Sequence, residues 1–251
     1  MIRDILRKPW LWSFVAAALV WLATMAFTGG KGGGELMSAA LTFATFFVIV
    51  GIGQMFVFTL GPGNVDLSIP ATMTLAGSVA MKLMDTQDSM IIVGLLVALA
   101  IGVAVGIFNY ALILGLRIPP IIATLSSSFV ILSAAIAYGR GLRIKPPPLL
   151  AEFTTVQIVG IPVLAICVVI LAALMGVVLH RTIYGRSVTA IGQSMRAAGF
   201  AGIPVERVRF FTYVLSAVLA SVCGYLFSGF SGGSSLSMGE QYLLASIAVV
   251  V

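Results

Sequence analysis

Residues that could perform catalysis are few in this sequence and widely spaced. Its 251 residues include one histidine, His180, two cysteines in separate apolar stretches and eight acidic residues scattered along the chain. No carboxylates are paired on a common face, and no HExxH or GxSxG motif is present, so hydrolytic chemistry lacks its usual residues. The sequence predicts a protein that is not an enzyme and has no metal site.

The sequence also lacks the residue patterns of nucleotide-binding and nucleic-acid-binding proteins. The glycines around Lys31 do not form the G-x-x-x-x-G-K-[ST] loop that holds phosphates, so ATP used by this protein would bind another chain. The net charge of +6 comes from basic residues between apolar stretches, not from a basic face with interleaved aromatics. We expect no cofactor on this chain and no nucleic-acid partner.

A polar loop at 61–70 separates two apolar stretches. Its two glycines and two prolines exclude regular helix, and it carries Asn64, Asp66 and Ser68. A charged side chain at membrane depth usually faces a cavity or a transport pathway. A helix-capping role explains Asp66 equally well, and Ser68 is placed to cap the helix that follows. The loop thus predicts either a pathway or gate element, or a capped turn.

A second polar segment, 181–209, contains five arginines and one glutamate, with a helix-compatible stretch at 187–200. An amphipathic element of this kind could rest on anionic lipid, which the composition slightly favours. It could equally dock as a helix in a groove on a soluble partner. Composition leaves both open.

The elements that position these segments follow from the overall composition. Hydrophobic residues make up 60% of the chain and charged residues 9%, with a mean hydropathy of +1.15. Soluble domains carry about 25% charged residues. Since backbone groups in lipid must be hydrogen-bonded internally, the composition predicts an all-α integral membrane protein.

Eight apolar segments are separated by polar or glycine-rich turns, which predicts a polytopic helix bundle. A span needs about 20 residues to cross roughly 30 Å of hydrocarbon, so the short segment 69–84 suggests a helix broken at membrane depth. The predicted segments are 10–27, 36–60, 69–84, 90–116, 121–138, 161–179, 210–230 and 242–251.

Basic residues orient the bundle. With a cytoplasmic N-terminus and one crossing per segment, nine basic residues lie inside and five outside, in agreement with the positive-inside rule. This orientation places 181–209 in the cytoplasm and the proline-rich loop 139–160 in the periplasm.

Segment 184–205 resembles the coupling region of ABC importer permeases, which carry an EAA-x-x-x-G pattern. Ala197, Ala198 and Gly202 keep this pattern, and Arg196 stands in place of its glutamate. Segment 65–68 resembles the G-I-D-L-S-V-G segment of ribose, xylose and arabinose importer permeases, although Pro70 replaces the final glycine. Segments 117–125 and 240–251 resemble two further blocks, so the resemblance covers about residues 10–251.

The resemblance implies one transmembrane permease domain over 1–251, in the bacterial inner membrane, with 181–209 as its cytoplasmic coupling loop. It implies a pathway for a sugar-like solute formed with a second permease subunit, alike or different. A cytoplasmic ABC ATPase and a periplasmic solute-binding protein would complete the importer, which membrane lipid would surround. The implied coupling residues are Gly185, Gln193, Arg196, Ala197, Ala198, Gly202 and Ile203, and the pathway or gate residues are Asn64, Asp66 and Ser68.

Two alternatives remain at this point: a permease for nucleosides or branched-chain amino acids, and a membrane scaffold subunit that transports nothing. The last apolar segment, 242–251, would rise about 15 Å as a helix, half of the roughly 30 Å span. We therefore expect a truncated form of a permease that has about ten spans in the resembled family.

Overall fold

The computed structural model describes residues 9–30, 33–139 and 145–250, and most of these residues are helical. Six of the basic residues behind the predicted orientation, Arg3, Arg7, Lys8, Lys31, Arg140 and Arg143, lie outside the described residues. The helices are α1 (Pro9–Phe27), α2 (Gly33–Thr59), α3 (Ile69–Met84), α4 (Ile91–Gly115), α5 (Pro120–Gly139), α6 (Pro148–Thr155), α7 (Val163–Arg181), α8 (Ile183–Gln193), α9 (Met195–Phe200), α10 (Val205–Phe230) and α11 (Tyr242–Ala248).

Each of the eight predicted apolar segments contains a helix, which confirms the all-α membrane bundle, although Ile161 and Pro162 of the segment 161–179 form a short strand. Among the described residues, five helices are long and apolar enough to cross a membrane, and two shorter apolar helices accompany them. The five are Gly33–Thr59, Asp88–Gly115 (α4 with the 3-10 turn Asp88–Met90 that precedes it), Pro120–Gly139, Val163–Arg181 and Val205–Phe230, and the shorter two are Leu11–Phe27 and Ile69–Met84.

Two local predictions need correction. The predicted loop 139–160 contains the helix α6, which begins at Pro148 because proline is tolerated in a first helical turn. A two-stranded antiparallel ribbon follows, formed by Gln157–Ile158 and Ile161–Pro162. Helix α10 begins at Val205, five residues before the predicted segment, so Arg207 and Arg209 lie in its first turns instead of in the preceding loop.

Helix α10 is the centre of the bundle and packs against α2, α3 and α4. Glycines allow this close approach. A Cβ added at Gly102 would lie 2.7 Å from the Cα of Val218, and one added at Gly106 would lie 2.5 Å from the Cα of Val214. The Gly102-x-x-x-Gly106 pattern is therefore a helix-packing face between α4 and α10.

The outward faces of several helices carry large exposed apolar side chains. On α7, Val169, Ile170 and Leu174 are each more than half exposed. Such a continuous apolar surface would be unfavourable in water, and it is the surface that a lipid-facing helix needs.

Helix α10 separates the two polar regions of the chain. At its C-terminal end, a Cβ at Gly229 would meet the side chain of Leu150 in α6. Near its other end, the hydroxyl of Thr212 is hydrogen-bonded to that of Tyr184 in α8 at 2.8 Å. Residues 145–160 and 181–209 therefore lie at opposite ends of the bundle, as the orientation requires, and the side on which each faces stays a prediction.

Candidate functional site

The polar loop after α2 turns back into the bundle. At the end of α2, Gly61 approaches Gly192 of α8, since a Cβ on Gly61 would lie 2.9 Å from the Gly192 carbonyl oxygen. The chain then returns along α2, where the backbone N–H of Asp66 donates to Oε1 of Gln54 at 3.2 Å. Gly61 and Gly63 have φ of +103° and +82°, which glycine adopts without steric cost. Helix α3 therefore begins inside the bundle, as a broken helix would.

Asp66 is 1% exposed, and its carboxylate is fully engaged with neighbouring donors. Its Oδ1 accepts from the backbone N–H of Ser68 at 3.0 Å and from the Ser68 hydroxyl at 2.6 Å. Its Oδ2 accepts from the hydroxyl of Ser216, near the middle of α10, at 2.7 Å. Ser68 lies at the predicted N-cap position of α3, but its side chain makes no capping hydrogen bond: its hydroxyl donates to Asp66 and accepts from Asn109.

The same hydrogen-bond network continues into α4 and α5. The amide of Asn109 donates to Oγ of Ser68 at 2.7 Å, and the hydroxyl of Ser127 donates to Oδ1 of Asn109. The hydroxyl of Thr124 donates to the Val65 carbonyl at 3.1 Å and accepts from the backbone N–H of Leu67 at 3.1 Å. Asn109 therefore joins the start of α3 to α4 and α5 through interhelical hydrogen bonds.

Asn64 completes the set of predicted pathway residues. Its amide donates to the Gly61 carbonyl at 3.1 Å, and its Oδ1 accepts from the hydroxyl of Tyr213 in α10 at 3.2 Å. The structure thus buries Asn64, Asp66 and Ser68 in one loop: Asp66 and Ser68 share a hydrogen-bond network with α4 and α10, and Asn64 is held separately by Tyr213. The sequence did not single out five of the loop's partners, which are Gln54, Thr124, Ser127, Tyr213 and Ser216.

One donor in this network is unused. Nε2 of Gln54 is buried and has no hydrogen-bond partner among the described residues. Leaving a buried donor unpaired costs about 1–3 kcal/mol. A shift of the loop that satisfied this amide would recover part of that free energy.

The coupling segment is two helices, not one. The helix-compatible stretch 187–200 is broken at Ser194, whose backbone is extended (φ −160°, ψ 105°). The Ser194 hydroxyl accepts from the backbone N–H of Ala197 at 3.2 Å and so caps the N-terminus of α9. A cap of this kind starts a new helix and redirects the chain, which ends the periodic pattern of α8.

Gly202 ends α9 in a Schellman motif. The N–H of Ile203 donates to the Ala198 carbonyl at 3.1 Å, and the N–H of Gly202 donates to the Gly199 carbonyl at 3.0 Å. Gly202 has φ of +83°, the left-handed conformation that this motif requires at its glycine. The glycine of the EAA-x-x-x-G pattern therefore sets the direction in which the chain leaves α9 towards α10.

The inner face of α8 packs tightly against the bundle. Val188 and Ile191 are buried, and a Cβ on Gly192 would lie 2.0 Å from the carbonyl oxygen of Thr59. Gly185 is similarly tight, since its Cβ would lie 2.2 Å from the Leu179 carbonyl oxygen. Tyr184 is held in the same interface, and its burial raises the pKa of its phenol, although its hydrogen bond with Thr212 acts in the opposite direction.

The outer face of the coupling segment is exposed. Gln193, Arg196, Ala197 and Gly202 are exposed, Ile203 is half-buried, and Phe200 is 86% exposed. Gly185 and Ala198 instead face the protein. The predicted coupling residues thus divide into two that anchor the segment and five at its surface.

The start of α10 is joined to α4 by a hydrogen bond to a carboxylate. The hydroxyl of Tyr110 donates to the carboxylate of Glu206, which also forms a salt bridge with Arg209 at 3.4 Å. Arg209 is only partly exposed, so it belongs to this cluster and not to a free cationic surface. Within the described residues, no three His, Cys, Asp or Glu side chains are grouped to hold a metal ion.

Comparison with known proteins identifies a family that matches most of this chain. A family model described as "Branched-chain amino acid transport system / permease component" matches residues 36–251. The "Autoinducer 2 import system permease protein LsrD" of Photorhabdus temperata is 26% identical over 96% of this chain and 74% of its own length. The protein of the same name from Escherichia coli (strain SMS-3-5 / SECEC) is 26% identical over 98% of this chain and 77% of its own.

A third relative is "Autoinducer 2 import system permease protein LsrC" of Enterobacter sp. (strain 638). It is 30% identical over 86% of this chain and 65% of its own length. No solved structure matches the chain.

Proposed function

The chain belongs to the branched-chain amino acid transport system / permease component family, and from that premise we propose that it conducts a sugar-like solute through an ATP-driven importer. It is a multi-pass transmembrane permease and not an enzyme. The proposed solute class rests on the match to autoinducer 2 permeases over nearly the whole chain. Nucleosides and branched-chain amino acids are the alternative solutes, and the family description favours the latter.

A second permease subunit, identical or different, forms the pathway with this chain in our proposal. A cytoplasmic ABC ATPase drives it and a periplasmic solute-binding protein delivers the solute. ATP and the binding protein then favour different conformations of the permease pair, and this difference in affinity drives alternating access. A scaffold subunit without a pathway would not need a buried hydrogen-bond network with a carboxylate at membrane depth.

The coupling surface is the exposed side of α8 and α9. Gln193, Arg196 and Phe200 present an amide, a cation and an aromatic ring, which suits a groove on a soluble ATPase. The rigid Gly192 contact with Thr59 then transmits movement of this surface to the end of α2 and the Asp66 loop.

The loop with Asn64, Asp66 and Ser68 acts as part of the gate in this proposal. All three are buried here, so they act by holding the loop between α2, α4, α5 and α10 and not by touching the solute in this conformation. The unpaired amide of Gln54 is a reason to expect a second loop position.

Deletion of the gene should abolish uptake of the transported solute, and a plasmid copy should restore it. The measurement is accumulation of labelled autoinducer 2, ribose, xylose and arabinose by the host, with leucine and uridine as controls. Loss of sugar-like uptake alone supports the proposal. Loss of leucine or uridine uptake alone would assign the alternative solute, and no change for any solute would favour the scaffold.

A cysteine at Gln193 should be protected from impermeant thiol reagents in intact cells and should react after the inner membrane is permeabilised. The reason is the proposed cytoplasmic position of α8, where Gln193 is exposed. A cysteine at Val159, 95% exposed at the opposite end of the bundle, is the matched control and should react in intact cells once the outer membrane admits the reagent. The reverse pattern would overturn the orientation.

A further inference from the structure

The segment between α10 and α11, residues 231–241, runs from one end of the bundle into its interior. The hydroxyl of Ser234 is hydrogen-bonded at 2.8 Å to that of Ser78, in the second half of α3, which lies next to Gly139 at the C-terminal end of α5. Further along, Gly239 packs on the start of α3, where its Cβ would lie 2.2 Å from the Pro70 carbonyl oxygen. The segment is therefore a second re-entrant element, entering from the end opposite to the Asp66 loop.

The position of Pro70 gives the depth of this segment. The loop before Pro70 is hydrogen-bonded to Ser216, near the middle of α10. Glu240 also lines a mostly apolar cavity of about 210 Å³, together with Leu125, in the first half of α5, and Leu132, near its middle. Glu240, the neighbour of Gly239, therefore lies near the middle of the bundle, at the depth of the hydrocarbon core.

Glu240 is exposed at this depth, and so are Ser235, Ser237 and Gln241. Among the described residues, the carboxylate of Glu240 takes part in no salt bridge. A charged group in hydrocarbon is costly, and irregular backbone at membrane depth occurs only where protein or water covers it. The face that carries Glu240 therefore cannot be a lipid-facing surface.

The surroundings of Glu240 are those of a site for a hydroxylated molecule. A cavity of about 440 Å³ is lined by Ser231, Gly233, Ser235, Ser237, Glu240 and Gln241, with Phe227 and Met238. The carboxylate can accept from adjacent hydroxyls, and the Gln241 amide and the serine hydroxyls can both donate and accept.

We propose that Glu240, Gln241 and the serines of segment 231–241 line a water-filled part of the pathway and bind the hydroxyl groups of a neutral polyhydroxylated solute. This inference rests on the proposed importer function and assigns to it a contact site. Met238 and Gly239 are buried and anchor the segment, so the polar side chains are presented from a fixed backbone. The Asp66 loop reaches the same depth from the other end, as the broken helices of transporters do.

Reaction of introduced cysteines with a charged thiol reagent tests the water-filled path. In the full importer, with Cys167 and Cys223 replaced by alanine, Ser237→Cys should react with an impermeant methanethiosulfonate at least about tenfold faster than Val169→Cys, since only a thiol in water ionises readily. Val169 is the control because it is 68% exposed on an apolar helix face. Equal, slow reaction at both positions would overturn the inference.

Uptake by Glu240 variants tests the solute contact, with labelled ribose, xylose and arabinose as probes. Loss of a hydrogen bond to a charged group should raise the half-saturating concentration about tenfold to a hundredfold in Glu240→Gln, with Glu240→Asp less affected. The control Glu152→Gln changes an exposed carboxylate on α6 and should transport normally. Immunoblots of the assembled importer separate transport from folding.

The labelling experiment and the uptake experiment together distinguish failure of this inference from failure of the proposed function. Fast labelling of Ser237→Cys together with no uptake of any probe by the unmodified importer would overturn the proposed solute class. Normal sugar uptake with slow labelling, or with unchanged half-saturation in Glu240→Gln, would overturn the Glu240 site alone.

Discussion

Replacing Asp66 with alanine is expected to remove most of the folded permease from the membrane. The carboxylate accepts three hydrogen bonds, from the backbone and hydroxyl of Ser68 and from the hydroxyl of Ser216. Each buried donor left unpaired would cost about 1–3 kcal/mol. The measurement is the yield of detergent-extracted, monodisperse permease and its apparent unfolding temperature.

Asp66→Asn separates folding from transport. An amide keeps one acceptor for the two Ser68 donors, and its NH₂ can donate to Ser216, so the fold should be retained while the charge is lost. Uptake should then fall more than assembly. Ser221→Ala is the matched control, because this buried hydroxyl on α10 donates only within its own helix, to Val218. Equal loss of assembly and uptake in Asp66→Asn would reduce Asp66 to a structural turn residue.

The sequence was sufficient for the helices because hydrophobic length and helix breakers act locally. The segment 69–84 was predicted with its observed bounds, since the glycines and prolines of 61–70 stop any helix before Ile69. At its other end Asp85 and Thr86 adopt φ of +42° and +66°, a left-handed turn without glycine. The helix α6 was missed because an eight-residue amphipathic helix is too short to give a clear apolar period.

The polar loop was predicted from its composition, but its partners were not. Ser216 and Tyr213 lie about 150 positions later in the chain, and in a long apolar helix they resemble ordinary small or aromatic packing residues. Only the fold shows that they face Asp66 and Asn64. A buried carboxylate requires hydrogen-bond donors. A search of the apolar segments for polar residues could therefore have found Ser216.

Two functional features had signals that were not used. Ser194 is of a residue type favoured at helix N-caps, and treating it as an N-cap would have divided the coupling segment. Glu240 was assigned to a block of resemblance and given no role. Its depth depends on the packing of Gly239 against Pro70, a contact between distant residues that the sequence does not reveal.

The position expected to affect coupling most is Gly192, where the coupling segment meets α2. Its Cα lies so close to Thr59 that an added Cβ would be 2.0 Å from the Thr59 carbonyl oxygen. Gly61, at the start of the Asp66 loop, packs on the Gly192 carbonyl in turn. Backbone thus contacts backbone across this junction, and no flexible side chain can yield to relieve an added atom.

Gly192→Val should therefore separate α8 from α2 and from the Asp66 loop, with a packing penalty of about 1–3 kcal/mol. In reconstituted importer, ATP hydrolysis should continue while uptake falls about tenfold or more, because docking on the exposed face of α8 no longer moves the loop. Gly176→Val is the matched control: Gly176 lies on α7, outside the coupling segment, its Cβ would meet nothing within 4 Å, and uptake by this variant should stay near that of the unmodified protein. ATP hydrolysis and uptake should be measured in the same proteoliposomes. Parallel loss of both activities in Gly192→Val would indicate disrupted docking or folding. Unchanged uptake would show that this junction does not transmit the movement.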